Sequence, residues 1–112
     1  MAIISNLVID QGSTFSADID VTDRYGNVLD LTGYTASGQI RKTYSSSTAV
    51  DFTAAVSQAT NGVVTISLSS GQTGGMKSGR YVYDVEVTSS DSQVTRIIEG
   101  QVEINPQVTR AS

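Results

Sequence analysis

Four carboxylates near the C-terminal end of the chain are the residues whose types and spacing could do chemistry. Asp84 and Glu86 are two apart in the stretch GRYVYDVEVT (79–88), and Glu99 and Glu103 follow on the segment that should pair with it. Two carboxyl groups about 5–9 Å apart in a cleft can hydrolyse a glycosidic bond. The alternative is the outward, polar face of a β-sheet, and a short all-β chain offers no obvious cleft. We therefore predict no catalytic residues and no enzyme activity.

The chain contains no histidine and no cysteine, which limits its chemistry further. The commonest general base is absent, and with it the usual activator of a serine nucleophile. Asp18, Asp20 and Asp23, with Asn27 four residues on, could form an oxygen cage for Ca²⁺. The pattern lacks the glycine and the bidentate glutamate of a known calcium loop. We interpret these residues as solvated positions that discourage edge-to-edge pairing, and predict no metal and no cofactor.

The charge of the chain restricts its partners. Eleven acidic residues outnumber seven scattered basic ones, for a formal net charge of −4. Binding to nucleic acid or to an anionic membrane surface requires a basic patch, so we predict neither partner. No apolar run approaches the roughly 20 residues of a membrane-spanning helix.

The elements that must position these residues have a period of two. Alternation runs through residues 14–22 and 79–88, which places Tyr81 and Tyr83 on the inward side and Asp84 and Glu86 outward. Tyr25 and Tyr44 fall in predicted loops and are the exposed aromatic candidates for stacking on a sugar ring. The pair Asn61-Gly62 is typical of a hairpin turn between two strands.

These patterns predict an all-β fold, a small antiparallel β-sandwich of about seven strands in a single domain over residues 1–112. The irregular segment near 70–77 leaves room for one short helical turn, in which Met76 closes the end of the core. Residues 1–9 should form an N-terminal edge strand. Pro106 ends the last strand, and residues 105–112 should form a C-terminal tail.

Several motifs occur in a fixed order along nearly the whole chain. They are QGSTF at 11–15, the block from Asp23 to Lys42 with DLTGYT at 30–35, NGVVTISLS at 61–69, GRYVYDVEVT at 79–88, and VTRIIEGQVEINPQVTR at 94–110. In this order they resemble small structural proteins of tailed bacteriophages, in particular the immunoglobulin-like N-terminal domain of phage baseplate upper proteins. Those proteins continue into a linker and an attachment region, whereas this sequence ends at Ser112, so the resemblance implies a free-standing module.

The resemblance implies an immunoglobulin-like fold and a virion structural protein of the tail, baseplate or neck. Such a protein would be assembled in the cytoplasm of the host bacterium. It would be present in several copies or as a homo-oligomer, and would contact other virion structural proteins without catalysis. A capsid decoration or cement protein is the alternative in the same class, and a host-glycan-binding module is the alternative from another class. The apolar N-terminal strand suits pairing with the edge of another chain, and the tail could order on a neighbour. The predicted assembly contacts are Ile3, Ile4, Leu7, Val8, Val108 and Arg110.

Overall fold

Strands dominate the part of the chain that the structure, a computed structural model, describes: residues 3–23, 25–43, 45–46 and 49–106. The elements are β1 (Ile3–Ile4), β2 (Leu7–Asp10), β3 (Phe15–Asp20), β4 (Thr35–Arg41), β5 (Val50–Asp51), β6 (Thr53–Gln58), β7 (Val63–Leu68), α1 (Ser70–Gly74), β8 (Gly79–Thr88) and β9 (Val94–Asn105). In these ranges no helix is long and apolar enough to span a membrane.

Two sheets share one core. The larger sheet has six strands in the order β1, β9, β8, β4, β5, with β2 also pairing with β9, and the smaller sheet has the order β3, β7, β6. Most of the pairs are antiparallel, so the predicted all-β sandwich is confirmed. Since β1 with β2 and β5 with β6 are two interrupted strands, counting each of them once gives seven, the predicted number.

The second interruption is a crossing between the sheets at Phe52. β5 pairs with β4 in the larger sheet, whereas β6 pairs with β7 in the smaller one. The Phe52 amide donates to the Gly38 carbonyl at 3.0 Å, and the Phe52 side chain is buried. Its ring lies edge-on to Tyr83, with the ring centroids 6.1 Å apart. The crossing residue therefore ties the two sheets together through the core.

The inward faces of the strands form the core, as the alternation predicted. Tyr83, Val85 and Val87 of β8 are buried, and Tyr81 is partly buried against them. The other fully enclosed aliphatic residues come from both sheets and from the segments between them: Ile9, Leu31, Ile40, Val64, Ile66, Leu68, Val102 and Ile104. The predicted hairpin is also present, because β6 and β7 are joined by a turn that contains Gly62 at φ +66°.

The predicted helical turn is α1, and local hydrogen bonds define its start. The Ser69 hydroxyl accepts from the Gln72 amide, and the Gln72 side chain accepts from the Ser69 amide, which together make a capping box. Thr73 is buried and donates to the Ser13 carbonyl at 2.7 Å. Met76 follows the helix and is buried in the core, as predicted.

The N-terminal strands run parallel to β9, a pairing that the predicted antiparallel sandwich did not include. Ile4 lies opposite Glu99 in this ladder, and Val8 lies opposite Glu103. A period of two identifies the buried face of a strand but carries no information about its direction. The prediction of an edge strand is nevertheless correct, because β1 and β2 form one edge of the larger sheet.

A kink at Ser5 and Asn6 separates β1 from β2 without changing their register. The Ser5 carbonyl accepts a hydrogen bond from the Tyr83 hydroxyl at 2.6 Å. The Asn6 side chain accepts from the Gln101 amide at 3.0 Å, which supplies a partner where the ladder is interrupted. Gly100 lies beneath the kink, and a Cβ atom built on it would overlap the Ser5 carbonyl oxygen. The kink therefore requires glycine at this position.

A β-bulge in β9 corrects one sequence-based assignment. The alternation along residues 93–104 predicts Val94 on the same face as Ile98, Val102 and Ile104. In the structure Val94 is exposed and Ile97 is buried beside Ile98. Val85 lies opposite Ile98 while Glu86 lies opposite Arg96, so Ile97 is an extra residue in the ladder. One inserted residue reverses the facing of every residue before it.

Replacing Gly100 tests the kink. We expect Gly100→Ala to lower the free energy of unfolding by roughly 1–3 kcal/mol, because the new methyl group meets backbone rather than a flexible side chain. Gly71→Ala is the matched control, since its Cβ would lie 3.8 Å from the Ser69 hydroxyl and the site is helical. We expect this control to be more stable than wild type by about 0.5–1 kcal/mol. Urea unfolding measures both, and a Gly100→Ala variant as stable as wild type would contradict the packing described.

Replacing Tyr83 with Phe tests the hydrogen bond across the kink. We expect a loss of about 1–3 kcal/mol at neutral pH, because the Ser5 carbonyl loses its buried partner. Burial raises the pKa of Tyr83 above its usual value of 10.0. The stability that the neutral phenol contributes is therefore present below pH 10 and is lost as pH rises through the higher folded-state pKa. The difference between wild type and Tyr83→Phe should narrow above pH 10, and a constant difference across that range would contradict this assignment.

Candidate functional site

The four C-terminal carboxylates lie on the outer face of the larger sheet. Asp84 is directly opposite Glu99, and Glu103 is opposite Arg80. Arg96 lies between the first pair, with Nε 3.4 Å from Asp84 Oδ2 and Nη1 3.7 Å from Glu99 Oε2. This cation offsets the repulsion between two carboxylates that face each other across a ladder. The arrangement is that of a solvated sheet surface held together by charge pairing.

A depression of about 510 Å³ lies on the same face, beside Asp84 and Glu86. Ser37, Gln39 and Asp51 also line it, and the Gln39 amide donates to the Asp51 carboxylate at 2.8 Å. Hydroxyl, amide and carboxylate groups can hydrogen-bond to a ligand, but this set gives no division into an acid and a base. We assign no reaction to the depression.

The other acidic group that the sequence suggested, Asp18, Asp20 and Asp23 as calcium ligands, is dispersed in the structure. Asp18 accepts a hydrogen bond from the Thr65 hydroxyl at 2.8 Å on the outer face of the smaller sheet. Asp23 instead closes the turn that follows it, since its Oδ1 accepts from the amides of Tyr25 at 2.8 Å and Asn27 at 3.1 Å. Within the described ranges, no three acidic side chains come close enough together to hold a metal ion.

The described tyrosines that the sequence singled out are buried or exposed as it predicted. Tyr81 and Tyr83 contribute to the core, and their hydroxyls donate to the carbonyls of Lys77 at 2.7 Å and Ser5 at 2.6 Å. Tyr25 is 76% exposed on the turn after Asp23. Tyr44, the other aromatic candidate, lies outside the described residues.

The predicted assembly residues of the N-terminal segment fall on both faces of the edge. Leu7 is half-buried and packs against the core. Ile4 and Val8 lie on the outer face, where they are 79% and 62% exposed. Ile3 pairs with Ile98 through its backbone, but its side chain lies outside what the structure describes, as do Val108 and Arg110. One side of this segment already pairs with β9 of the same chain, so another chain could pair only with its opposite side.

Sequence reasoning missed a second pocket, which lies beside α1. Its volume is about 490 Å³, and Lys42 and Lys77 both line it. These are the only two lysines of the chain, and each lies at the border of an irregular segment. Their spacing of 35 residues carries no periodic signal. In the structure both contact Tyr81 of β8, Lys42 through its side chain and Lys77 through its backbone.

Asp30 and Tyr83 have shifted pKa values, and both side chains hold backbone in place. The Asp30 carboxylate accepts from the Thr32 hydroxyl at 2.6 Å and from the Thr32 amide at 2.9 Å, and these two bonds lower the pKa of Asp30. The turn continues through Gly33 at φ +83° and leads into β4. The motif DLTGYT is therefore explained by turn geometry, with no chemistry required.

Comparison with known proteins adds no functional assignment. No known family model matches the sequence, and no curated protein matches it. One solved structure that the chain matches is an internalin-like protein of Listeria monocytogenes, at 18% identity and a TM-score of 0.43 over 93% of this chain and 28% of that one. Another is a family 123 glycoside hydrolase from Clostridium perfringens, at 14% identity and a TM-score of 0.42 over 94% of this chain and 23% of that one. The chain thus spans about a quarter of the length of these structures, and scores this low support no conclusion about function.

Removing the central cation of the sheet surface tests its role. We expect Arg96→Met to lower the free energy of unfolding by less than about 1 kcal/mol at low salt, because both ion pairs are partly exposed to solvent. The effect should disappear at about 1 M salt, where surface charges are screened. Arg80→Met is the matched control, since Arg80 forms no ion pair among the described residues. Thermal unfolding at both salt concentrations measures the difference, and a loss independent of salt would point to packing instead of charge.

Proposed function

We propose that this chain is a bacteriophage virion structural protein of the tail, baseplate or neck, and that it acts by protein–protein assembly without catalysis. The ordered motifs from QGSTF to VTRIIEGQVEINPQVTR support the class of protein. The observation that carries the assembly role is the N-terminal edge, where Ile4 and Val8 expose aliphatic side chains on the same outer face.

Two features make this edge more than two scattered apolar residues. Single exposed hydrophobic residues are ordinary on protein surfaces. Here Ile4 and Val8 lie on an edge from which Leu7 and Ile9 point to the opposite face and pack in the core. The register with β9 and the kink at Ser5 fix the facing of both exposed residues. A rigid apolar pair at a sheet edge is suited to docking on a neighbouring protein.

A capsid decoration protein would use the same kind of contact, so it is the alternative within this class. The host-glycan-binding module rests on a different observation, the exposed ring of Tyr25. A single exposed aromatic ring on a tight turn offers one stacking contact to a sugar. The edge residues offer a larger fixed surface, and assembly is therefore the function that we favour.

The experiment measures whether the chain is incorporated into phage particles. Phage production is induced in the strain that encodes the chain, particles are purified by density gradient, and tagged wild type is compared with Ile4→Thr/Val8→Thr by quantitative mass spectrometry. Threonine keeps the branched shape that suits a strand while removing apolar surface. We expect wild type in the particles and at least a tenfold loss of the double variant. Val28→Thr is the matched control, since Val28 is also an exposed apolar residue but lies far from the edge in the turn after Asn27.

Three outcomes would contradict the proposal. The first is the absence of the wild-type chain from every purified particle, which excludes a virion component. The second is equal incorporation of the double variant and wild type, which moves the contact away from the N-terminal edge. The third is binding to a glycan array that Tyr25→Ala abolishes, together with absence from particles, which would favour the glycan-binding alternative. Electron microscopy of the particles would then distinguish tail, baseplate and neck from capsid.

A further inference from the structure

The pocket beside α1 combines an apolar floor with positive charge at its mouth. Its volume is about 490 Å³. Ile40 and Met76 are buried beneath it, and Val50 is half-buried at its side. Lys42 and Lys77 are exposed at its rim. Such a lining suits an aliphatic side chain that is accompanied by carboxylates.

Tyr81 contacts the side chain of Lys42 and the backbone of Lys77. Its hydroxyl donates to the Lys77 carbonyl at 2.7 Å, which fixes the backbone at that residue. Its ring lies under the Lys42 ammonium, with Nζ 4.7 Å from the ring centroid, a favourable cation–π distance. Neither lysine forms an ion pair with a carboxylate in the described ranges. Two lysines that form no ion pair with a described carboxylate therefore line the same pocket, in a chain of net charge −4.

The N-terminal edge of the same chain has the complementary chemistry. Ile4 lies directly opposite Glu99 and Val8 directly opposite Glu103, so each exposed aliphatic side chain has a carboxylate on the adjacent strand, about 4.8 Å away between backbones. Paired residues in a ladder point to the same face of the sheet, so all four side chains face outward together. Glu99 shares Arg96 with Asp84, whereas Glu103 lies opposite Arg80 but forms no ion pair among the described residues.

A single copy cannot bring these two surfaces together. The edge pairs with β9, whereas the pocket is lined by β4, β5, β8 and residues 75–78, which follow α1. The ladders of the larger sheet place β8 and β9 between the edge and β4. Only a second molecule can place the edge in the pocket.

We infer that the pocket receives the N-terminal edge of a second copy of this chain, with Val8 or Ile4 entering the apolar floor and Glu103 and Glu99 facing Lys42 and Lys77. The inference rests on the proposed function, because it names the neighbour that the edge contacts. Because the two surfaces differ, the contact is heterologous: each copy binds the next one through a different surface. The rotation between neighbouring copies decides whether such contacts close into a ring or a pair, or repeat as an open chain.

Matched changes of charge test the contact by sedimentation of the purified full-length chain over a concentration series at about 50 mM salt, where surface charges are weakly screened. Wild type should self-associate, and Lys42→Gln/Lys77→Gln should raise the dissociation constant at least tenfold. Ser16→Glu/Thr53→Glu lowers the net charge by the same two units on the outer face of the smaller sheet. We expect this control to associate as wild type does.

A charge exchange provides the decisive comparison. Lys42→Glu/Lys77→Glu alone and Glu99→Lys/Glu103→Lys alone should remain monomeric, because each places like charges at the contact. An equal mixture of the two variants should associate, since every pocket then meets an edge of opposite charge. Circular dichroism checks that each variant is folded, and Glu103→Lys replaces the second double variant if that one unfolds.

The outcomes separate this inference from the proposed function. A wild-type chain that stays monomeric up to about 1 mM, the limit of very weak affinity, overturns the inference. So does a mixture of the exchanged variants that fails to associate. If either result is found while Ile4→Thr/Val8→Thr is still lost from particles, the assembly role stands and the partner is another protein. If the exchange works but the chain is absent from particles, self-association stands and the virion role fails.

Discussion

The hydrogen bond from the Tyr83 hydroxyl to the Ser5 carbonyl is the interaction on which the N-terminal edge depends. It draws the Ser5 backbone over Gly100, and that approach is open only because Gly100 has no side chain. Asn6 then supplies the acceptor for the Gln101 amide, so the ladder resumes without a slip. A slip of one residue would reverse the facing of β2 and turn Leu7 and Ile9 to solvent. The same bond therefore keeps the core side of the edge buried and the opposite side exposed.

Much of the fold could be predicted because local patterns determine it. Alternation identified the buried side of β8, and the turn residues Gly26 and Gly62 mark places where the backbone has a positive φ. The bulge at Ile97 could not be predicted, because an extra residue does not alter the residue types of a strand. It only shifts the phase of the alternation between buried and exposed positions. The parallel pairing of β1 and β2 with β9 joins residues 95 positions apart, and neither their apolar character nor their spacing carries a direction.

The candidate surfaces were predictable to different degrees for a related reason. Ile4 and Val8 could be named from sequence because they belong to an apolar segment at one end of the chain. Their exposure depends on the register with β9, which only the tertiary structure gives. The lysine pocket has no local signature at all. Lys42 and Lys77 line the same pocket because the tertiary fold brings both to Tyr81, whose ring contacts one and whose hydroxyl bonds to the backbone of the other.

The kink also determines which groups of the edge are already bonded. A continuous edge strand presents an unbroken row of amides and carbonyls on its free side, and it invites pairing with the strand of another chain. Here the bonds of the kink all lie on the β9 side. The Ser5 amide donates to the Glu99 carbonyl at 2.9 Å, the Ser5 carbonyl accepts from Tyr83, and the Asn6 side chain accepts from Gln101. The kink is therefore stabilised from within the sheet, and the edge turns the side chains of Ile4 and Val8 outward. In the assembly role that we propose, these two aliphatic groups select the partner by shape.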